Sequence, residues 1–189
     1  MALLDDLPFE GTDPQEVAEL VAPLLETVEH SMDEDNPLRD RLQRMRNGET
    51  PAQIMGLTAD DLDVLYGMGI RQIQAGELDK AKATFQHLGQ IDPLEARHRY
   101  CLGLVLQLQG ALQPAAHMFL QFLALDATNP DGYMRLGELH LAADELDMAG
   151  EFFRQAIRFS GDAPNHAETR AQAEAQLSRL AAELTSEGV

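Results

Sequence analysis

Cys101 is the single cysteine of the 189-residue chain and the first candidate for nucleophilic chemistry. A thiol becomes reactive where a base or cation lowers its pKa. No activating base is evident around Cys101 by spacing, so a small buried core thiol is the expected role. One cysteine also excludes an intrachain disulfide and fits a reducing compartment. The six histidines, His30, His87, His98, His117, His140 and His166, are scattered, and no pair has ligand spacing on one helix face. The acidic run "MDEDN" at 32–36 lacks the glycine and the bidentate glutamate of a calcium loop. "GMG" at 67–69 lacks the Gly-Lys-Ser/Thr or third glycine of a phosphate loop. Gly-x-Ser-x-Gly, His-Glu-x-x-His and Cys-x-x-Cys are absent. The sequence therefore predicts no enzymatic activity, no cofactor and no metal. What remains is binding chemistry, carried by Leu, Ile, Met and a few Tyr side chains.

Those side chains recur. At a shift of 34 residues Gly69 falls on Gly103 and Gly137, Ala81 on Ala115 and Ala149, Phe85 on Phe119 and Phe153, and Leu78 on Leu112 and Leu146. This period is that of the tetratricopeptide (TPR) helix hairpin. Each mid-helix glycine costs about 1 kcal/mol of helix propensity, so close approach of the paired helix is expected to offset it. Gly76 and Gly110 fit left-handed helix ends. At the third equivalent position stands Asp144, where the match is expected to lapse.

The fold expected is all-α: three TPR hairpins in a right-handed solenoid, at about 62–95, 96–129 and 130–161 within a domain spanning 58–161. Residues 1–57 form an N-terminal helical extension, and 162–189 a capping helix and tail. Asp13-Pro14 opens a helix carrying Val17, Leu20, Val21, Leu24, Leu25 and Val28 at helical spacing, with Pro23 as a kink. Asn36-Pro37 opens a second helix, in which Arg39, Arg41, Arg44 and Arg46 stand within eight positions; a solvated flank is the plainer reading of them. Thr50-Pro51 opens a single turn, and Thr58 caps the first repeat helix, with Asp60 and Asp61 in its first turn. Gly161 stops the last hairpin. The helix after it, about 164–184, presents Ala173, Leu177, Leu180, Ala181 and Leu184, and a solenoid end needs such a cover.

The charge is -18, from 14 basic and 32 acidic residues. Nucleic acid and anionic membrane surfaces are disfavoured as partners. No window reaches the ~18 consecutive apolar residues of a membrane span, and "MALLDDLPFE" has neither the basic nor the long apolar region of a secretory signal. A soluble cytoplasmic protein without direct membrane insertion is expected.

In a TPR array the first helices line the concave face. With Leu62 as position 1, positions 2, 5, 9, 12 and 13 give Asp63, Tyr66, Ile70, Ile73 and Gln74 in the first unit. They give Arg97, Tyr100, Leu104, Gln107 and Leu108 in the second, and Asp131, Met134, Glu138, Leu141 and Ala142 in the third. Tyr66, Ile70, Ile73, Tyr100, Leu104 and Leu108 should form an apolar strip with tyrosine hydroxyls at its edge. Arg97, Met134, Glu138 and Leu141 complete the candidate groove. Exposed patches of this kind mark binding sites; self-filling by the N-terminal helices or by a second copy is the alternative.

Residues 48–93 carry a more specific likeness. Gly48, Thr50, Ala52, Leu57, Thr58, Leu65-Tyr66, Gln72 and Phe85-Gln86 resemble the lead-in and first repeat of the class II chaperones of type III secretion systems, the LcrH/SycD-like family. "RHRYCLGLVLQLQGALQPAAHMF" resembles that family's second repeat, and the likeness spans about 48–160. The resemblance implies a bacterial cytoplasmic, non-enzymatic chaperone that holds hydrophobic translocator proteins soluble and secretion-competent, with an extended client segment in the groove. It also implies homodimers formed through N-terminal helices, here through Val17, Leu20, Val21, Leu24, Leu25 and Val28. A generic TPR scaffold for envelope or pilus assembly is the competing reading. The sequence does not name clients, organism or dimer geometry, and the Arg-rich 39–46 segment has no counterpart in that family.

Overall fold

The computed structural model describes Thr27 and residues 36–186, with the last four given as backbone. The apolar stripe from Val17 to Val28 and the Leu184 side chain lie outside the described residues. Those described form nine α-helices and no strand. They are α1 (Pro37–Arg46), α2 (Pro51–Ile54), α3 (Ala59–Gln74), α4 (Leu78–Ile91), α5 (Ala96–Leu108), α6 (Leu112–Leu125), α7 (Pro130–Ala142), α8 (Leu146–Ser160) and α9 (Ala167–Ser186). A 3-10 turn, Pro164–His166, leads into α9.

Local chemistry sets the helix starts. Asn36 and Asn129 cap α1 and α7 ahead of Pro37 and Pro130, whose missing N–H groups would be unpaired there anyway. Thr50 with Gln53, and Thr58 with Asp61, form reciprocal capping boxes. At the second, Thr58 N–H donates to Asp61 Oδ2 at 2.9 Å and Asp61 N–H to Thr58 Oγ1 at 3.2 Å. The Thr58 hydroxyl, which donates to Asp61 Oδ2 at 2.6 Å, and then the Thr58 N–H hold the Asp61 carboxyl below the usual carboxylate range.

The first helix of each hairpin ends in the same way. Gly76, Gly110 and Asp144 have φ of 73°, 74° and 63°. The following N–H reaches back to close the turn: Glu77 to the Gln72 carbonyl, Ala111 to Leu106 and Glu145 to His140, each at 2.9 Å. The expected lapse at Asp144 is therefore one of residue type only. The backbone keeps the left-handed cap, which aspartate tolerates better than most residues.

The periodic glycines have a reason different from the one expected. At Gly69, Gly103 and Gly137 the nearest neighbour is an aromatic ring rather than a backbone. A Cβ there would lie 2.6, 2.7 and 2.5 Å from ring carbons of Phe85, Phe119 and Phe153. Each phenylalanine of a second helix thus inserts its ring edge against the glycine of its own first helix. All three rings are fully buried, as are Ala81, Ala115 and Ala149 one turn earlier on the same helices. This knob repeats three times and fixes the hairpin geometry.

Successive helices pack on one another from α3 to α9, and α2 contacts α4. Ala52 of α2 joins the main core. At the other end Ala173 and Leu180 of α9 close a second cluster with Met134, Ala149, Phe153 and Ala156, and Leu177 packs against it. Ala181, expected on that buried side, is exposed. It stands one position past Leu180, which turns it about 100° away from the contact.

Candidate functional site

Contacts at one-repeat separation put α3, α5 and α7 side by side. The Arg97 guanidinium reaches Asp63 Oδ1 at 3.4 Å and lies 4.9 Å from the Tyr66 ring centre. Tyr66 Oη and Cys101 Sγ are 3.3 Å apart. Arg135 Nε donates to Tyr100 Oη at 3.2 Å, and Gln107 Nε2 to Glu138 Oε2 at 3.1 Å. The face shared by these three helices is the expected groove.

Its floor is built on the repeat knob. The Tyr66 ring stands edge-on to Phe85, centres 5.7 Å apart, and Tyr100 edge-on to Phe119 at 5.6 Å. Phe85 and Phe119 therefore each have their own glycine on one side and a groove tyrosine on the other, while Phe153 has Met134 in its cluster in place of a tyrosine. Tyr66, Ile70, Ile73, Tyr100 and Leu104 are half-buried and pack on the core with one face. Leu108 is 60% exposed. This leaves a continuous apolar strip open to a ligand along α3 and α5.

The third repeat differs. Met134 is 4% exposed and packs in the cluster that Ala173 and Leu180 of α9 close, so it offers only a small patch of side chain, in the wall of the depression next to α9. Leu141 is half-buried, and Glu138 accepts from Arg135 Nη1 at 2.9 Å as well as from Gln107. Thr169 of α9 donates to Asp131 Oδ1 at 2.6 Å. Here the strip gives way to a polar depression of about 230 Å³, lined by Tyr100, Asp131, Arg135 and Thr169 among others. The apolar part of the groove thus belongs to the first two repeats, and α9 bounds it.

The tyrosine hydroxyls, expected at the strip edge, are both engaged, Tyr66 with Cys101 and Tyr100 with Arg135. Burial pushes both phenols up, so they stay neutral. Burial also pushes the Cys101 thiol up, which keeps it inert. Burial opposes the charge on Arg135, but Tyr100 and Glu138 more than compensate and its pKa lies above the ordinary value. Arg135 was missed because it sits at position 6 of its unit, outside the groove registers. The signal available was its size: the same position holds Gly67 and Cys101 in the other two units.

Near the groove's start His98 is 2% exposed, and neither ring nitrogen has a hydrogen-bond partner; Asp92 Oδ2 is 3.6 Å from Nε2. A wider depression, about 550 Å³, lies elsewhere, between α4, α5 and α6, floored by Leu102 and Leu106. Among the described residues no cluster of His, Cys, Asp or Glu is placed to hold a metal, and no helix is long and apolar enough to cross a membrane. The chemistry on offer is recognition of an apolar chain.

No family model matches the sequence. Relatives do. The low calcium response locus protein H of Yersinia pestis is 26% identical over 122 residues, 61% of this chain and 73% of its own. The crystal structure of PcrH in complex with the chaperone binding region of PopD superposes with a TM-score of 0.65 at 32% identity, covering 68% of this chain and 96% of that one. The chain belongs to the type III secretion translocator chaperones. The translocator chaperone SycD of Yersinia enterocolitica is a further member, with a TM-score of 0.67 and 25% identity over 69% of this chain and 97% of its own. The three-hairpin array of this chaperone is thus the family's fold, and the all-α TPR architecture expected from the 34-residue period holds.

Proposed function

We propose that this chain holds an extended apolar segment of a hydrophobic translocator protein in the groove of α3, α5 and α7. It does so without catalysis, in the bacterial cytoplasm, and keeps the client soluble and secretion-competent. The observation that carries the reading is the half-open strip of Tyr66, Ile70, Ile73, Tyr100, Leu104 and Leu108 on a protein of net charge -18. A strip of this kind in an otherwise strongly charged surface is a docking site for apolar side chains. The binding of PcrH to the chaperone binding region of PopD supports it.

The roles divide by position. Ile70, Ile73 and Leu104 supply apolar contact area. Tyr66 and Tyr100, held by their hydroxyl bonds, supply rigid walls whose ordering is complete before the client arrives, which lowers the entropic cost of binding. Arg97, Arg135 and Glu138 give polar borders that fix register. The surrounding negative charge repels an anionic membrane surface while the client is held.

The test is co-purification of the chain with a protein bearing long apolar segments, repeated with Leu104→Asp. The expected result is loss of the client with helix content and melting temperature retained, since Leu104 is not fully buried. A folded Leu104→Asp variant that keeps the same client at the same stoichiometry removes the groove from the account.

A further inference from the structure

The acidic residues avoid one part of the chain. Residues 80–125, from α4 to α6, hold two of the 32, Asp92 and Glu95. Residues 96–125 hold none, the longest acid-free run in the sequence. The same stretch carries Lys80, Lys82, Arg97 and Arg99, and the first two are the chain's only lysines. On a protein of net charge -18, basic side chains here outnumber acidic ones.

The depression of about 550 Å³ lies within this stretch. Leu102 and Leu106 floor it, and Met118, Pro114, Lys82 and Gln113 stand among its walls. Lys80 is engaged by Glu77, but Lys82 has no ion-pair partner among the described residues. On α5, Leu102 and Leu106 stand about 200° round the helix from Tyr100 and Leu104. The hollow therefore opens away from the groove, and a segment lying in the groove leaves it accessible.

The repeat shows what fills such a hollow. One unit later Phe152 stands where Met118 stands, and His140 where Leu106 stands. There the Phe152 ring stacks on His140, centres 5.0 Å apart, and His140 is fully buried. Between the first two units the aromatic side chain is missing and the hollow is open. The charges differ as well. The places of Lys82, Gln113 and His117 are taken in the next unit by Ala116, Asp147 and Glu151. An apolar floor that lacks its ring, beside a cation on an acidic protein, is complementary to an aromatic side chain flanked by carboxylates.

We propose that the hollow between α4, α5 and α6 is a second docking site, for an acidic segment of a partner protein other than the groove client. An aromatic side chain of that segment enters over Leu102 and Leu106, in the place that Phe152 fills one unit later. Its flanking carboxylates meet Lys82 and the amide groups of Gln86 and Gln113, both of which line the hollow. The aromatic anchor supplies most of the affinity and the charges select against basic segments, because an exposed ion pair is individually weak. The site lets the chaperone be recognised while its groove is full.

The test is fluorescence anisotropy of a labelled Glu-Glu-Leu-Phe-Asp-Glu peptide against the full chain, alone and copurified with its groove client. Saturable binding is expected in both states, weakening as salt rises from about 0.05 to 0.5 M. Replacing the peptide's Phe with Ala, or filling the hollow with Met118→Phe, should weaken it at least tenfold, as loss of an aromatic anchor does. Lys82→Glu should weaken it about five- to tenfold at low salt. Both protein variants should keep the wild-type melting transition, since Lys82 is partly exposed and the third repeat already carries a phenylalanine at the place of Met118. Leu104→Asp, which tests the groove, should leave peptide binding unchanged, so the two sites fail separately. No saturable binding up to about 1 mM, or equal binding by wild type, Lys82→Glu and Met118→Phe, overturns the site. Loss of binding in Leu104→Asp places the peptide in the groove, and loss in the client-loaded chain assigns the hollow to the client; either result overturns the proposal.

Discussion

Replacing Gly103 with alanine sets two effects of opposite sign against each other. In an isolated helix the change stabilises by about 1 kcal/mol. In this fold the new Cβ would stand 2.7, 2.9 and 3.0 Å from three ring carbons of Phe119. That ring is fully buried between Gly103 and Tyr100, so it has no open direction in which to retreat. Forcing a methyl into a packed core costs about 1–3 kcal/mol, with the upper part of the range appropriate to so close a contact. Net destabilisation of about 1–2 kcal/mol follows, or a fall of roughly 2–8 °C in melting temperature for a domain of this size. The assay is thermal and urea unfolding followed by circular dichroism, for Gly103→Ala, Phe119→Leu and the double variant. With the ring removed the steric cost disappears and only the propensity gain remains. Gly103→Ala should therefore stabilise the Phe119→Leu protein while destabilising the wild type, a coupling visible in the double-mutant cycle. A wild-type background stabilised by Gly103→Ala would refute the ring-into-glycine account of the repeat.

Three further outcomes are expected. Asp144→Gly should stabilise the chain by up to about 1 kcal/mol, because φ of 63° suits glycine; Gly110→Ala at the equivalent turn should destabilise it by a similar amount, both read from melting temperatures. Burial holds the His98 pKa below its ordinary value, against the pull of Asp92 and Glu95. The unfolded chain therefore binds the extra proton first, and stability, full above about pH 6.5, falls as pH drops below it, by at most about 1.4 kcal/mol per pH unit. Urea midpoints from pH 7.5 to 5.5 should show that slope in wild type and lose it in His98→Phe, a window above the titration of the carboxylates. Tyr100→Ala should weaken client binding at least tenfold, since an aromatic anchor at an interface centre is worth more than about 1.4 kcal/mol; unchanged affinity in a folded variant would take Tyr100 out of the site.

The elements were legible where one residue type dictates one conformation. Asn36-Pro37, Thr50-Pro51 and Thr58 start helices because their side chains serve the unpaired first N–H groups. Gly76 and Gly110 end them because they occupy left-handed backbone. Asp144 was opaque because the same conformation is held by the whole turn rather than by the residue. The period exposed Gly69 and Phe85 as repeating positions, but that the two touch is a fact of packing across a hairpin.

The site was partly legible for the same reason. A repeat register places Tyr66, Ile70, Tyr100 and Leu104 on one face, since every unit shares the same backbone. Register says nothing about the last unit's neighbour. Met134 is nearly covered by the packing of α9, which lies outside the period, and Arg135 enters because a position small in two units is long in the third. The hydroxyl partners Cys101 and Arg135 stand 35 residues from their tyrosines. That is one position past the repeat, which pattern matching at 34 does not reach.

The most direct measurement is site-resolved capture in the native cytosol, with a photo-cross-linking amino acid placed at Leu108 or at Leu94. Both side chains are well exposed, 60% and 70%, but only Leu108 belongs to the groove strip. The expected result is that Leu108 links a protein with long apolar segments through one short stretch of its sequence, and Leu94 does not. Equal capture from both positions, or only soluble folded proteins at Leu108, would contradict the groove as the place where this chaperone holds its client.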